Sequence, residues 1–411
     1  MLTGMRGVFE QNCASVVAVD HQHIVLVLWL RCAMETSEEV SFEGCNLMRQ
    51  RLTYSVLSGR PVTIAQIRAM EDEPGIRGFE TKLLSLFEKI TNGTKIEIGE
   101  TGTQIRFVPG MIQGGSVSLD CGNERCLSYF LEPLLMLAPF CKRPLSVRLT
   151  GVTNAPGELS VDAIRSTWLP VFKKFVLNNE QLDIKIVSRG LKPDGGGSII
   201  LTAPIVRTLR PVQEENAGKV CKIRGMAYVT KVSPSLAHRM IESAKKTLRG
   251  YIADVYITVD QRKGATGGSS PGYGLFLTAE TTEGVFYHGE AISKPKDEPG
   301  NPLIAEDVGH LAACSLLDQI YLGGCLDTSA QALAVTFMTL GEKDVSKYLF
   351  GPLSTYCVHT LRNLKRIFEI TFKIDEWKKT RKGDEQKLGS EDKAILTCIG
   401  VGYSNLNKIV L

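Results

Sequence analysis

One order of elements recurs three times along this chain, and that recurrence limits the fold more than any single motif does. In the first pass, Leu47, Met48, Leu52, Val56 and Leu57 fall at helical spacing, with Gly59 as a C-terminal stop and Pro61 beyond it. Alternation of apolar and polar residues over 62–68 predicts a strand. A second helix is predicted over 79–91, with Leu83, Leu84, Phe87 and Ile90 as its apolar stripe, followed by strands over 95–98 and 104–108. The same plan returns as helices over 124–137 and 160–175 and strands over 145–149, 183–187 and 198–202. It returns again as helices over 305–322, 330–340 and 358–367 and strands over 370–374 and 395–401. Weak identity with shared order is the mark of a structural repeat. The expected class is mixed α/β (α+β).

The stretch 205–299 interrupts the third pass with a plan of its own. A strand over 222–232 precedes Ser233-Pro234, which predicts a helix start. Leu236, Met240, Ile241, Ala244 and Leu248 then form one helical face, and Gly250 ends it. Strands over 255–259, 274–280 and 285–292 follow, with a Gly/Ser loop over 264–274. The expected organisation is therefore a large domain over 37–204 and 300–411, an inserted small α+β domain over 205–299, and an extension over 1–36. That extension holds the apolar run Ile24 to Leu30, far short of the ~20 residues of a membrane span. It is expected to be disordered or to precede the true start, for which Met34 is the candidate. No membrane association is expected.

A net charge of +4, from 48 basic and 44 acidic residues, excludes a polybasic binder, so any nucleic-acid contact must be local. The 11 cysteines form no CxxC pair or zinc-spaced cluster, which fits buried thiols in a reducing compartment and no metal.

Particular residues carry a resemblance to a known family. Cys45-Asn46-Leu47-Met48-Arg49 stands where the RNA 3'-terminal phosphate cyclases have Gly-Gln-Ile-Leu-Arg. Leu57-Ser58-Gly59-Arg60-Pro61-Val62, Ile67-Arg68-Ala69, Pro74-Gly75-Ile76, Gly195-Gly196-Gly197 and Pro271-Gly272-Tyr273-Gly274 follow in the family's order. From about Phe42 onward the chain resembles this family. The resemblance implies a large domain of three βαβαββ-type repeats with a smaller inserted domain, in agreement with the periodicity.

It also implies what has been lost. The cyclases resemble nucleotidyl transferases in which a histidine attacks ATP, and their motif maps onto Leu326-Asp327-Thr328-Ser329-Ala330-Gln331-Ala332-Leu333. The nucleophile position falls on Ser329, the acidic position on Ala332 and its Gln neighbour on Leu333. An unassisted serine is a poor nucleophile. His310, in Gly309-His310-Leu311-Ala312, lies too early in its helix to replace it. His238, His288 and His359 have no partner at a telling spacing. Phe42 and Cys45 replace small residues, and Glu71 stands where the family has an arginine, which would repel a polyphosphate. No Walker motif is present, and no cofactor or metal is expected. Gly195 to Gly197 read as a tight turn.

Arg49 and Arg68 match family positions facing the cleft and are candidate anion or RNA ligands, with structural ion pairs as the alternative. Arg362, Lys365 and Arg366 share one helical face and are candidates for a phosphate backbone. The basic run 378–382 reads as an exposed loop. The family branch lacking the histidine implies a nuclear, nucleolar ribosome-biogenesis factor without cyclase activity. It would act in pre-rRNA processing and maturation of 18S rRNA and the 40S subunit. Its partners would be a ribosome-assembly GTPase, pre-ribosomal RNA and small-subunit processome components. The alternative is an endoribonuclease cutting pre-rRNA in the same particle. Against it, Asn363 stands where an acid would help.

Overall fold

The computed structural model describes residues 38–177, 181–295, 303–377, 389–390 and 392–405. The 1–36 extension and the 378–382 loop lie outside them. Three four-stranded sheets repeat one pairing scheme. In the first, Val40–Glu43 runs parallel to Val62–Ala65, which pairs antiparallel with Ile105–Val108, and that strand pairs antiparallel with Lys95–Ile98. Gly114–Asp120, Arg143–Gly151, Gly197–Ala203 and Asp183–Ser188 repeat the scheme. Gln213–Glu214, Val345–Phe350, Ala394–Ile399 and Lys373–Glu376 repeat it again. The chain has the mixed α/β architecture that the recurrence predicts.

In each unit a helix crosses between the two parallel strands: Met48–Ser58, Ser128–Leu137 and Gln331–Leu340. The second and third are buried at every position. A helix apolar all round belongs at a centre, and these three converge there, with the helical stretch over 161–175 and helix Thr355–Phe368 packed against them and helix Gly78–Ile90 reaching them through Phe79 on Tyr129, 5.4 Å apart. Met48–Ser58 is buried but polar, so its side chains must find partners inside. Gln50 bonds Thr360 at 2.8 Å and Glu132 at 3.3 Å, and Tyr54 bonds Thr336 at 2.7 Å.

The fourth large sheet is Val255–Arg262, Val220–Thr230, Gly272–Thr281 and Phe286–Ile292 in that order, with helix Ser235–Leu248 on one face. Helix Ala305–Leu322 packs on the same face, against Ser235–Leu248 and Phe286–Ile292. Gln213–Glu214 pairs with Val345–Phe350 of the third sheet. We therefore propose that the inserted unit spans about 215–322 rather than 205–299. It then interrupts the crossover between the parallel strands of the third unit. No helix among the described residues is long and apolar enough to cross a membrane.

One local reading is corrected. The strand expected over 62–68 stops at Ala65, because Gln66 and Arg68 have φ of 55° and 47°. Left-handed residues cannot continue a ladder, and a bidentate ion pair from Arg68 to Glu80, both contacts 2.7 Å, offsets the strain.

Candidate functional site

Ser329 lies where helix Ala305–Leu322 has ended at Gly323 and the fully buried helix Gln331–Leu340 is about to begin. Asp327 caps the intervening turn. Its Oδ1 accepts from the Ser329 N–H at 2.8 Å and from the Ser329 hydroxyl at 2.6 Å. Its Oδ2 accepts from the His288 N–H at 2.9 Å and lies 2.9 Å from His288 Nδ1. On the other side, Trp168 Nε1 donates to Ser329 Oγ at 3.3 Å. Trp168 is placed there by a π-turn, Ile164–Trp168, inside the Val161–Phe175 helix, a feature frequent at functional sites.

The order Ser–Asp–His is not that of a hydrolytic triad, because the carboxylate rather than the imidazole faces the hydroxyl. Burial alone would raise the Asp327 carboxyl, but His288 and the hydrogen bonds hold it below the usual carboxylate range. A carboxylate so stabilised is a weak base, and Ser329 has no other acceptor for its proton among the described residues. His288, set aside in the sequence for want of an acidic partner, has one. Burial would lower its pKa, but Asp327 outweighs burial and lifts it to about 9. An imidazole that gains charge on folding stabilises fully below its unfolded pKa of ~6.5, and the gain is lost as pH rises through the folded value. Asp327, being depressed, contributes above its unfolded pKa of ~3.9. Urea stability should therefore fall between pH 6.5 and about 9, and H288Q should flatten that limb. A wild-type profile level across this window would contradict the pairing.

Arg49, in the first turn of helix Met48–Ser58, faces the same cleft, of about 350 Å³, lined also by Arg125, Tyr129, Trp168, Ser329 and Tyr356. Its guanidinium is 2.6 Å from Glu132, bonds the Tyr356 hydroxyl at 2.9 Å and stacks 4.7 Å from the Tyr129 ring. Tyr356 donates to Glu132 at 2.6 Å. Arg125 stacks on the same Tyr129 ring, at 5.0 Å, and pairs with Glu158 at 3.0 Å. Two guanidiniums are thus balanced by two carboxylates, and the walls are planar groups. A second cavity of about 400 Å³, holding Tyr228, His288 and Glu290, adjoins this one at Gly157, Glu158 and Leu159.

The structure brings Arg49 and Ser329 together and places the other candidates elsewhere. Arg68 is tied to Glu80, and Glu71 pairs with Arg77 at 3.3 Å. Arg362, Lys365 and Arg366 are exposed on helix Thr355–Phe368, whose first turn sends Tyr356 into the cleft. His310 is exposed, its Nδ1 3.0 Å from the Thr247 hydroxyl. Sequence reading missed Trp168, Tyr129, Tyr356 and Glu132. None carries a local motif: Tyr129 and Glu132 share helix Ser128–Leu137, Trp168 lies on the next helix of the same unit, and Tyr356 joins them from the third unit only in the fold.

Residues 40–374 match the family model described as RNA 3'-terminal phosphate cyclase. A probable RNA 3'-terminal phosphate cyclase-like protein of Caenorhabditis elegans is 65% identical over 378 residues, covering 92% of this chain and all of the relative. The human RNA 3'-terminal phosphate cyclase-like protein is 47% identical over 372 residues, covering 90% of this chain and 98% of the relative. An rRNA processing protein, rcl1, of Schizosaccharomyces pombe is 36% identical over 378 residues, covering 91% and 99%.

Proposed function

Because the chain belongs to the RNA 3'-terminal phosphate cyclase family, we propose that it acts in rRNA processing as a member that binds RNA without performing cyclisation. The observation that carries the second half is the Ser329–Asp327–His288 row. Where the family's histidine would stand, a serine hydroxyl donates its hydrogen bond to a carboxylate that is itself paired with a histidine. Histidine attack on ATP needs a free imidazole lone pair, and this position supplies none.

The rest of the cleft suits RNA better than a free polyphosphate. Arg49 and Arg125 are neutralised by Glu132 and Glu158, so little net charge remains for a triphosphate. Tyr129, Trp168, Tyr356 and the guanidinium planes offer surfaces on which an unpaired base can stack. We assign the chain to nucleolar assembly of the small ribosomal subunit, needed for 18S rRNA maturation within the processome and working with a ribosome-assembly GTPase. The endonuclease alternative gains nothing from Asn363, which is buried and whose amide cannot take up a proton as a general base must.

In cells depleted of the protein, small-subunit rRNA precursors should accumulate and 18S rRNA should fall. S329A should rescue both fully, because the hydroxyl does no chemistry. Normal rRNA profiles on depletion would sink the processing assignment. Failure of a folded S329A to rescue would restore a chemical role to Ser329.

A further inference from the structure

Two guanidiniums lie against the ring of Phe42, on the first strand. Arg51 stands 4.6 Å from its centroid and Arg366 stands 4.5 Å away. Neither arginine has a carboxylate partner among the described residues. Their neighbours do: Arg49 pairs with Glu132, Arg60 with Glu38 and Glu369, and Arg68 with Glu80. Arg51 is only 9% exposed. It donates solely to backbone carbonyls, Glu43 at 3.3 Å and Gly44 at 2.7 Å, and its buried Nε has no acceptor. One turn before Arg366, Asn363 is 7% exposed and its Nδ2 also has no acceptor.

Orphaned buried donors cost free energy, and an unpaired buried charge costs more. Burial, and then the like charge of Arg366, push the Arg51 guanidinium below its usual pKa. The ordinary remedy, a nearby acid, is missing: position 363 is asparagine, and Glu369 is turned toward Arg60 at 4.0 Å. An anion at the open edge of this arginine pair, where Arg366 is exposed, would offset the unpaired charge. A tetrahedral phosphate does so, and guanidinium forks match its oxygens. Arg362 and Lys365, exposed on the same helix, extend the positive face beyond the site, so a chain of phosphates is favoured over one free anion. Arg366 is itself exposed, so a backbone can reach it without opening the fold.

We propose that Arg51 and Arg366 form a phosphate site that grips a backbone phosphodiester of single-stranded RNA, an assignment that rests on the RNA reading above and adds an anchor to it. Two measurements separate the site from that reading. In the first, the thermal midpoint of the full chain is followed with inorganic phosphate against chloride at equal ionic strength. Wild type should gain stability with phosphate, and R366Q, a surface change, should not. In the second, a labelled single-stranded RNA is titrated between about 50 and 200 mM salt. R366Q should bind about tenfold more weakly, with a salt slope smaller by about one. R51K, which keeps the charge but loses the fork, should weaken binding at every salt concentration. Equal phosphate response in wild type and R366Q overturns the site. A phosphate response lost in R366Q, with no RNA bound by wild type, overturns the RNA assignment and the reading beneath it. An adventitious surface effect would leave R51K like wild type in both measurements, and that too overturns the proposal.

Discussion

Replacing Arg189 with methionine should lower unfolding free energy by about 3–5 kcal/mol, because it strands a buried carboxylate. Arg189 is 1% exposed. Its Nη1 donates to Asp162 at 2.6 Å and to Asn154 at 2.9 Å, and its Nη2 lies 3.2 Å from Asp260. The guanidinium also stacks 4.3 Å from the Tyr228 ring. Asp162 and Asn154 belong to the second repeat, whereas Asp260 and Tyr228 lie on the inserted sheet. One cation therefore ties the second repeat to the sheet of Val220–Thr230 and Val255–Arg262. Burial raises the Asp162 carboxyl, but Arg189 more than offsets this and holds it below the ordinary range. Urea unfolding measures the loss, and D162N in the R189M background should recover part of it, since the orphaned charge goes too. A single-mutant loss under about 1 kcal/mol would mean that water reaches the pair, as for a surface bridge.

Phe337→Ala should cost a similar ~3–5 kcal/mol, by a different route. Phe337 lies on the fully buried helix Gln331–Leu340, with its ring 5.1 Å from Phe172 and 5.5 Å from Phe175, both edge-on. All three rings are wholly buried, so truncation leaves a void that the surrounding helices cannot easily close. F337L, which keeps most of the volume, should cost much less. Equal losses for the two variants in denaturant titration would show that the site collapses around the gap and that the rings do not hold the centre rigid.

Much of this fold was legible because amphipathic periodicity survives wherever an element has one wet face. Helices such as Gly78–Ile90 and Ala305–Leu322 emerged within a residue or so of their ends. Periodicity reports that a face is buried and not against what. Spacing alone therefore cannot tell that Ala305–Leu322 packs on Ser235–Leu248 and Phe286–Ile292. The opening strand of each repeat was missed: Val40–Glu43 has four residues, Gln213–Glu214 two, and Gly114–Asp120 opens on two glycines. Such segments are made strands by their neighbours.

The site divided in the same way. Ser329 and Arg49 were found from motif register, and they face one cleft. Arg68 looked equivalent in sequence, but Glu80, twelve residues on, closes it into an ion pair. His288 carries no signal in the sequence because its partner Asp327 is 39 residues away in the chain, though 2.9 Å away in space. Arg51 carried no signal, since its significance lies in what it lacks.

The central claim is that the cyclase nucleophile has been replaced by a group without nucleophilic function. It is tested most directly by incubating the purified full chain with α-labelled ATP and an RNA ending in a 3'-phosphate, then looking for labelled protein and a cyclic end. The Ser329–Asp327–His288 row predicts neither, at any pH between 6 and 9. A covalent adenylate on the wild-type chain, absent from S329A, would contradict that account outright.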